Sequence, residues 1–260
     1  ITLTQTQVDD LSVAFKAKHP NVSIEFDWPT EGVSVNSVLN TAKVNELATA
    51  GIGLDNVIYV DRDLAGENAA VVLGSSGIQS DVGFRGIADA SSIDVKEGKR
   101  LVLIGTTASD PYAMTTVTTT VGADSTLKLG SLGLSESHRG TMAAVNLTGG
   151  NTEASRAKFT TVNGSYSVGD LTAQNAAVTV KSGAELTAAS LSFAEDAALA
   201  NEGKFTVKGA LSGTADSQAQ IDNYGDLSVE GDTTLYGSFT NHANAKTHLK
   251  DAYVNGTLTN

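Results

Sequence analysis

His242 and His248 are the most closely spaced of the four histidines in this 260-residue sequence, and they are the first place to look for metal or acid–base chemistry. In an extended strand His242, Asn244, Lys246 and His248 share one parity, and Ala243, Ala245, Thr247 and Leu249 share the other. A lysine between two would-be ligands repels a divalent cation, and a zinc site needs three or four converging donors. The pair is therefore expected to sit on a solvated strand face. His19 reads as the last residue of a helix, where its charge would suit the helix C-terminus. His138 lies in the polar stretch Ser135-Glu136-Ser137-His138-Arg139 and reads as loop.

Carboxylates offer the other route to chemistry. Asp61 and Asp63, with Asn56 and Arg62 beside them, follow the apolar run Val57-Ile58-Tyr59-Val60, at a strand exit where α/β units place functional groups. A polar turn explains them more simply. Glu195, Asp196 and Asp222 fall at expected chain corners and read as solvated turns. Asn201, Asn223 and Asn241 recur at successive corners and are expected to stack as an internal ladder. Gly74-Ser75-Ser76-Gly77 lacks the G-x-S-x-G spacing of a nucleophile elbow. Gly51-Ile52-Gly53 lacks the third glycine of a dinucleotide loop, and no G-x-x-x-x-G-K-[ST] phosphate loop occurs. The glycine- and aspartate-rich calcium repeat is missing as well. These residues assign no catalytic group, no cofactor-binding residue and no metal ligand.

Composition narrows the partner. The chain carries 29 acidic and 17 basic residues, a net charge of −12, which argues against nucleic acid and anionic membrane surfaces because both select a basic footprint. The acidity is even: eleven acids against five bases in residues 1–88, and eighteen against twelve in 89–260. No apolar run reaches the roughly 18 residues that span a bilayer, so this segment is not expected to insert in a membrane directly. With no cysteine, disulfides and thiolate metal sites are excluded. Twenty-six glycines, three prolines and 5% aromatic residues suggest many tight turns around small aliphatic side chains.

The elements that must position these groups divide at about Ala88. Thr6 to His19 has helical spacing of Val8, Leu11 and Phe15, opens on a capping box and stops at Pro20. Val22 to Trp28 alternates as a strand, a weaker helical stretch covers Asn36 to Ala50, and Val57–Val60 reads as a buried strand. Residues 1–88 are thus expected to form a small α/β unit or cap. From 89 to 260 short strands punctuated by glycine take over, with a turn expected at Lys96-Glu97-Gly98-Lys99.

An internal repeat organises this second region. Leu171, Leu191 and Leu211 open similar segments at steps of 20 and 20 residues, and Leu186, Phe205 and Leu227 lie on a second thread anchored by Gly183, Gly203 and Gly225, whose steps are 20 and 22. Units of this length cannot bury an apolar face alone and must stack on neighbours. The leucine-rich pattern is absent. The expected fold is therefore mainly β, a parallel β-helix of about 20–22 residues per coil, with glycine or asparagine at corners that need positive φ. Thr115 to Thr120 is expected to form part of an outward polar ridge.

Asn223-Tyr-Gly-Asp-Leu-Ser-Val-Glu-Gly-Asp-Thr-Thr-Leu-Tyr-Gly-Ser-Phe-Thr-Asn241 resembles the passenger region of Gram-negative autotransporters and related large adhesins. Val254–Asn260 and Ser92–Gly105 have the same cadence. The resemblance covers about two thirds of the chain, from near Ser91 onward. It implies a right-handed parallel β-helix, exported and displayed at the cell surface or secreted, with an outer-membrane barrel downstream and often an adhesive role. The protease subgroup's G-D-S-G-S motif is not present, so no catalytic residue carries over. The opening Ile1-Thr2-Leu3-Thr4, without Met, and the repeat cadence at Asn260 are expected of a piece of a longer protein.

The expected function is that of a non-enzymatic adhesin fragment, its rod a stalk or a binding surface for a host or surface glycan or protein. The alternative is a β-helical carbohydrate-active lyase or hydrolase using surface carboxylates, and a third reading is a plain spacer.

Overall fold

The computed structural model describes residues 57–61, 69–73, 81–85, 90–96, 98–104, 112–130, 138–215 and 217–260. The helices expected over 6–19 and 36–50, the strand Val22–Trp28, His19, Asn56, Arg62, Asp63 and the Ser75-Ser76 turn lie outside those residues.

The described chain is mostly β. Its strands are β1 (Val57–Asp61), β2 (Ala69–Leu73), β3 (Asp81–Arg85), β4 (Ala90–Val95), β5 (Arg100–Ile104), β6 (Tyr112–Val121), β7 (Thr126–Leu129), β8 (His138–Thr148) and β9 (Ala157–Thr161). They continue with β10 (Gly164–Gln174), β11 (Ala176–Val180), β12 (Ala184–Ala194), β13 (Ala198–Asn201), β14 (Lys204–Val207), β15 (Leu211–Gly213), β16 (Ala219–Asn223), β17 (Asp226–Asn241) and β18 (Lys246–Thr259). All belong to one large sheet whose pairings among these strands are parallel. Strands pair with neighbours about one repeat away, β10 with β12 and β11 with β13, for example. The same alternation links β1 to β3, β2 to β4, β3 to β5 and β4 to β6, so it continues across the boundary expected at residue 88.

Registers place repeat positions over one another. Leu171 pairs with Leu191, and Leu191 with Leu211. Leu186 pairs with Phe205, and Phe205 with Leu227. A third column runs through Leu127, Phe159, Val178, Leu199, Ile221 and Phe239. All these side chains are buried within one continuous apolar cluster. Each contributes on the order of 1.5–3 kcal/mol by leaving water, which is why repeat length dictates the structure: a slip of one residue would turn an entire strand's apolar set outward.

Parallel strands are commonly buried on both faces and read as continuous apolar runs. Here they alternate, as in β11, where Ala176, Val178 and Val180 are buried and Ala177 and Thr179 are not. One face of β11 meets the core and the other meets solvent, and β7, β9 and β13 alternate in the same way. The alternation slips phase inside the long strands. In β10 Val168 and Leu171 both point in, with Gly169 and Asp170 both outside, and β12 repeats this at Ala189 and Ser190. Two successive outward residues mark a corner between two faces. Left-handed corners fall to Asn163, Asn175, Glu195 and Asn244, and the expected turn at Gly98 has φ +70°, closed by the Lys99 N–H donating to the Lys96 carbonyl at 3.1 Å. Side-chain-free corners also allow close stacking: a Cβ on Gly225 would stand 2.0 Å from the Gly203 carbonyl oxygen one repeat earlier.

Candidate functional site

Among the sequence candidates, the structure brings Asp222 and His242 together. Asp222 lies on the outward side of β16, and His242 follows β17 at the same corner one repeat later. The His242 Nε2 and the Asp222 Oδ1 are hydrogen-bonded at 2.9 Å. The His242 ring lies flat on the exposed Tyr224 ring, with centroids 3.8 Å apart and planes within 10°. Backbone bonds explain the superposition. The Tyr224 N–H donates to the Asn201 carbonyl at 2.7 Å, and the His242 N–H to the Asn223 carbonyl at 2.8 Å, so each residue leaves its strand at the same point.

His248 is not part of this group. Asn244 adopts φ +69° in a turn that separates β17 from β18, so no single strand runs from His242 to His248 and the expected shared face does not form. A left-handed residue has no trace in alternation, which is why the pattern suggested a strand. His138 is likewise not in a loop; it is the first residue of β8, in register with Gly164. Asp61 ends β1 opposite Arg85. Glu195 is occupied in holding a corner: its carboxylate accepts from the Gln174 side chain at 2.8 Å and from the Asn175 side chain. Asp196 is exposed. Among the described residues no group of three His, Asp or Glu side chains is arranged to hold a metal ion.

The threonine ridge divides. Thr115 and Thr116 are exposed, but Thr119 is fully buried in the column between Ile93 and Val145. Residues 115 and 116 both face out at a corner, which reverses the inward and outward parity of the residues after them.

Outward columns carry the polar chemistry of the surface. Asn146, Thr172, Ser192, Ser212 and Thr234 are in register on successive strands. The Thr172 hydroxyl donates to Asn146 Oδ1 at 2.7 Å, and the Ser192 and Ser212 hydroxyls are 3.0 Å apart. A second face alternates in charge through Glu185, Lys204, Asp226 and Lys246. Its contacts of 3.6 and 3.9 Å between exposed groups contribute little to stability but fix a mixed field.

A concavity interrupts this surface. Between β15 and β16, Thr214, Ala215, Ser217 and Gln218 lie outside any strand, whereas β17 and β18 round the same corner within continuous strands. Beside them is a groove of about 360 Å³ lined by Ser217, Gln218, Gln220, Tyr236, Ser238 and Thr257, with Ala215, Asn255, Gly237 and Gly256 completing it. The Ser217 hydroxyl donates to the Thr214 carbonyl at 2.7 Å and lies 3.2 Å from the Tyr236 carbonyl, tying Ser217 to the next strand. Sequence reading missed this groove. Its trace is the step of 22 residues from Phe205 to Leu227, wider than the 20 between the leucines at 171, 191 and 211.

No family model, curated protein or solved structure matches the chain.

Proposed function

We propose that the chain is a right-handed parallel β-helix from a secreted or surface-displayed bacterial adhesin or autotransporter passenger. It acts without catalysis, as a stalk and binding surface for a host or surface glycan or protein. The observation that carries this reading is the column Leu171, Leu191, Leu211, backed on the solvent side by the hydroxyl and amide column that includes Thr172, Ser192 and Ser212. Repeats that stack their interior side chains in register build length, and an outward row of short polar groups at about 4.8 Å intervals suits extended ligands held by many weak contacts. Two of the corner carboxylates that a hydrolase could have used are engaged elsewhere, Glu195 by amides and Asp222 by His242.

A glycan-array screen followed by reducing-end release assays on every hit tests the reading. Binding without release is expected. Release of reducing ends would replace it with the lyase or hydrolase alternative, and absence of both binding and release would leave a spacer.

A further inference from the structure

We propose that the groove bordered by Ala215, Ser217 and Gln218 binds a neutral saccharide, an inference that rests on the surface-binding reading above and names its ligand class and place. At about 360 Å³ the groove falls within the range of small-ligand sites, roughly 300–1,000 Å³. Three features of it favour a sugar.

First, the site is preformed. Ser217 is fully buried, and its hydroxyl bonds to the Thr214 and Tyr236 carbonyls hold it against the next strand. The floor is bare backbone: Gly237 and Gly256 have φ of 138° and 155°, and a Cβ on Gly237 would stand 2.0 Å from the Ala219 carbonyl oxygen. Side chains therefore cannot fill the floor. Second, the polar groups match polyols. Gln220, Ser238 and Thr257 are in register on three successive strands, presenting an amide and two hydroxyls at about 4.8 Å intervals. Such groups both donate and accept, as sugar hydroxyls do. Third, Tyr236 borders the groove, and its ring is held edge-on against Tyr253, with centroids 6.1 Å apart. A ring with a polar tip gives a sugar's C–H face a surface to pack on.

Charge selects the class further. Every described side chain lining the groove is uncharged, in a chain of net charge −12. A carboxylated or phosphorylated sugar would enter an unfavourable field with no cation in the lining to pair with.

The test is a titration of the isotope-labelled chain with maltose, lactose and diacetylchitobiose, followed by amide chemical shifts, with sialyllactose as the anionic control. At least one neutral disaccharide is expected to shift Gly237, Ser238, Gln220 and Thr257, and sialyllactose to leave them unmoved. Tyr236→Ala and Gln220→Ala are expected to weaken binding by about tenfold, while Glu185→Gln on the exposed charged face leaves it unchanged. Gln220 is exposed, so its variant reads out contact without threatening the fold. Shifts confined to other surfaces, equal response to sialyllactose, unaltered affinity in both variants, or no response to any neutral disaccharide would overturn the proposal. Array binding that survives Gln220→Ala and Tyr236→Ala overturns the groove alone and leaves the surface-binding reading standing. Absence of all array binding by the unmodified chain overturns that reading too.

Discussion

The side-chain amide of Asn201 donates to the Oδ1 of Asn223 at 2.8 Å, although 22 residues separate them. Asn223 in turn donates to Asn241 at 3.0 Å, and Asn241 to Asn260 at 2.8 Å. The ladder replaces apolar residues in one buried column, for Asn201 stands in register with Val180. Its first member shows the replacement: Asn201 Oδ1 is buried without a hydrogen-bond partner, because valine has nothing to donate.

Within the ladder Asn223 should matter most. Its Nδ2 lies within hydrogen-bond distance of Asn241 Oδ1, the Lys246 carbonyl and the Thr247 hydroxyl, and its Oδ1 receives the bond from Asn201. Asn223→Ala is expected to lower stability by about 2–4 kcal/mol, since it removes all of these bonds and leaves one Asn201 amide hydrogen unpaired, the other remaining on the Asp226 carbonyl at 3.1 Å. Asn241→Ala, at a more exposed position, should cost about 1 kcal/mol. Chemical denaturation of the two variants side by side checks the order, and equal losses would contradict it.

The aliphatic column gives a sharper contrast. Leu191 is fully buried between Leu171 and Leu211, so Leu191→Ala removes packing on both sides and should cost about 2–5 kcal/mol. Leu258 continues the column of Phe239 but is 63% exposed, and Leu258→Ala should change stability by no more than about 0.5 kcal/mol. Comparable effects at the two positions would mean that stacking in register is not what stabilises the chain.

What was legible in the sequence was whatever depended on repeat length. Leu171, Leu191 and Leu211, or Asn201, Asn223 and Asn241, can be aligned by counting, because near-equal steps return the chain to equivalent positions. Corners were less legible. The turn at Asn244 that separates His242 from His248 depends on one backbone conformation, and asparagine permits it without demanding it. The inward turn of Thr119 depends on a phase slip two residues wide, which alternation alone reads as continuous exposure. The groove over Gly237 and Gly256 is a difference between adjacent corners: at one the strand breaks off and at its neighbours it does not. No single stretch of sequence contains that difference.

Buried phenols make stability sensitive to alkali. Burial raises the Tyr112 hydroxyl well above its usual value, with the neighbouring Tyr166 adding to it, and burial likewise raises Tyr166. An acid whose folded value lies above its unfolded value, about 10, holds its proton more tightly when folded. Its contribution is complete below a pH of about 10 and is lost as pH rises toward the folded value. Phenolate absorbance is expected to show these two of the six tyrosines ionising only as the fold is lost. The two phenols differ in partners: Tyr166 donates to the Val162 carbonyl at 2.8 Å and lies 3.1 Å from that of Asn163, whereas the Tyr112 hydroxyl is buried with none. Tyr166→Phe should therefore cost about 1 kcal/mol at neutral pH, and Tyr112→Phe should be neutral or stabilising.

The same two rings depend on a glycine between them. Tyr112 is in register with Gly140, and Gly140 with Tyr166, so the middle strand offers no side chain and the rings stack across it with centroids 6.4 Å apart. A Cβ on Gly140 would stand 1.9 Å from the Tyr112 Cζ, and the ring is fully buried. Gly140→Ala should destabilise by about 1–3 kcal/mol or more through overpacking. Tyr112→Leu alone should also destabilise, by emptying part of the space. Combined, the new methyl occupies room the ring has left, so the double variant should be more stable than the sum of the two losses requires, by about 0.5–3 kcal/mol. Strict additivity in this double-mutant cycle would mean that the Tyr112 ring does not lie over Gly140. It would also remove the physical reason for a glycine at that position in an otherwise apolar column.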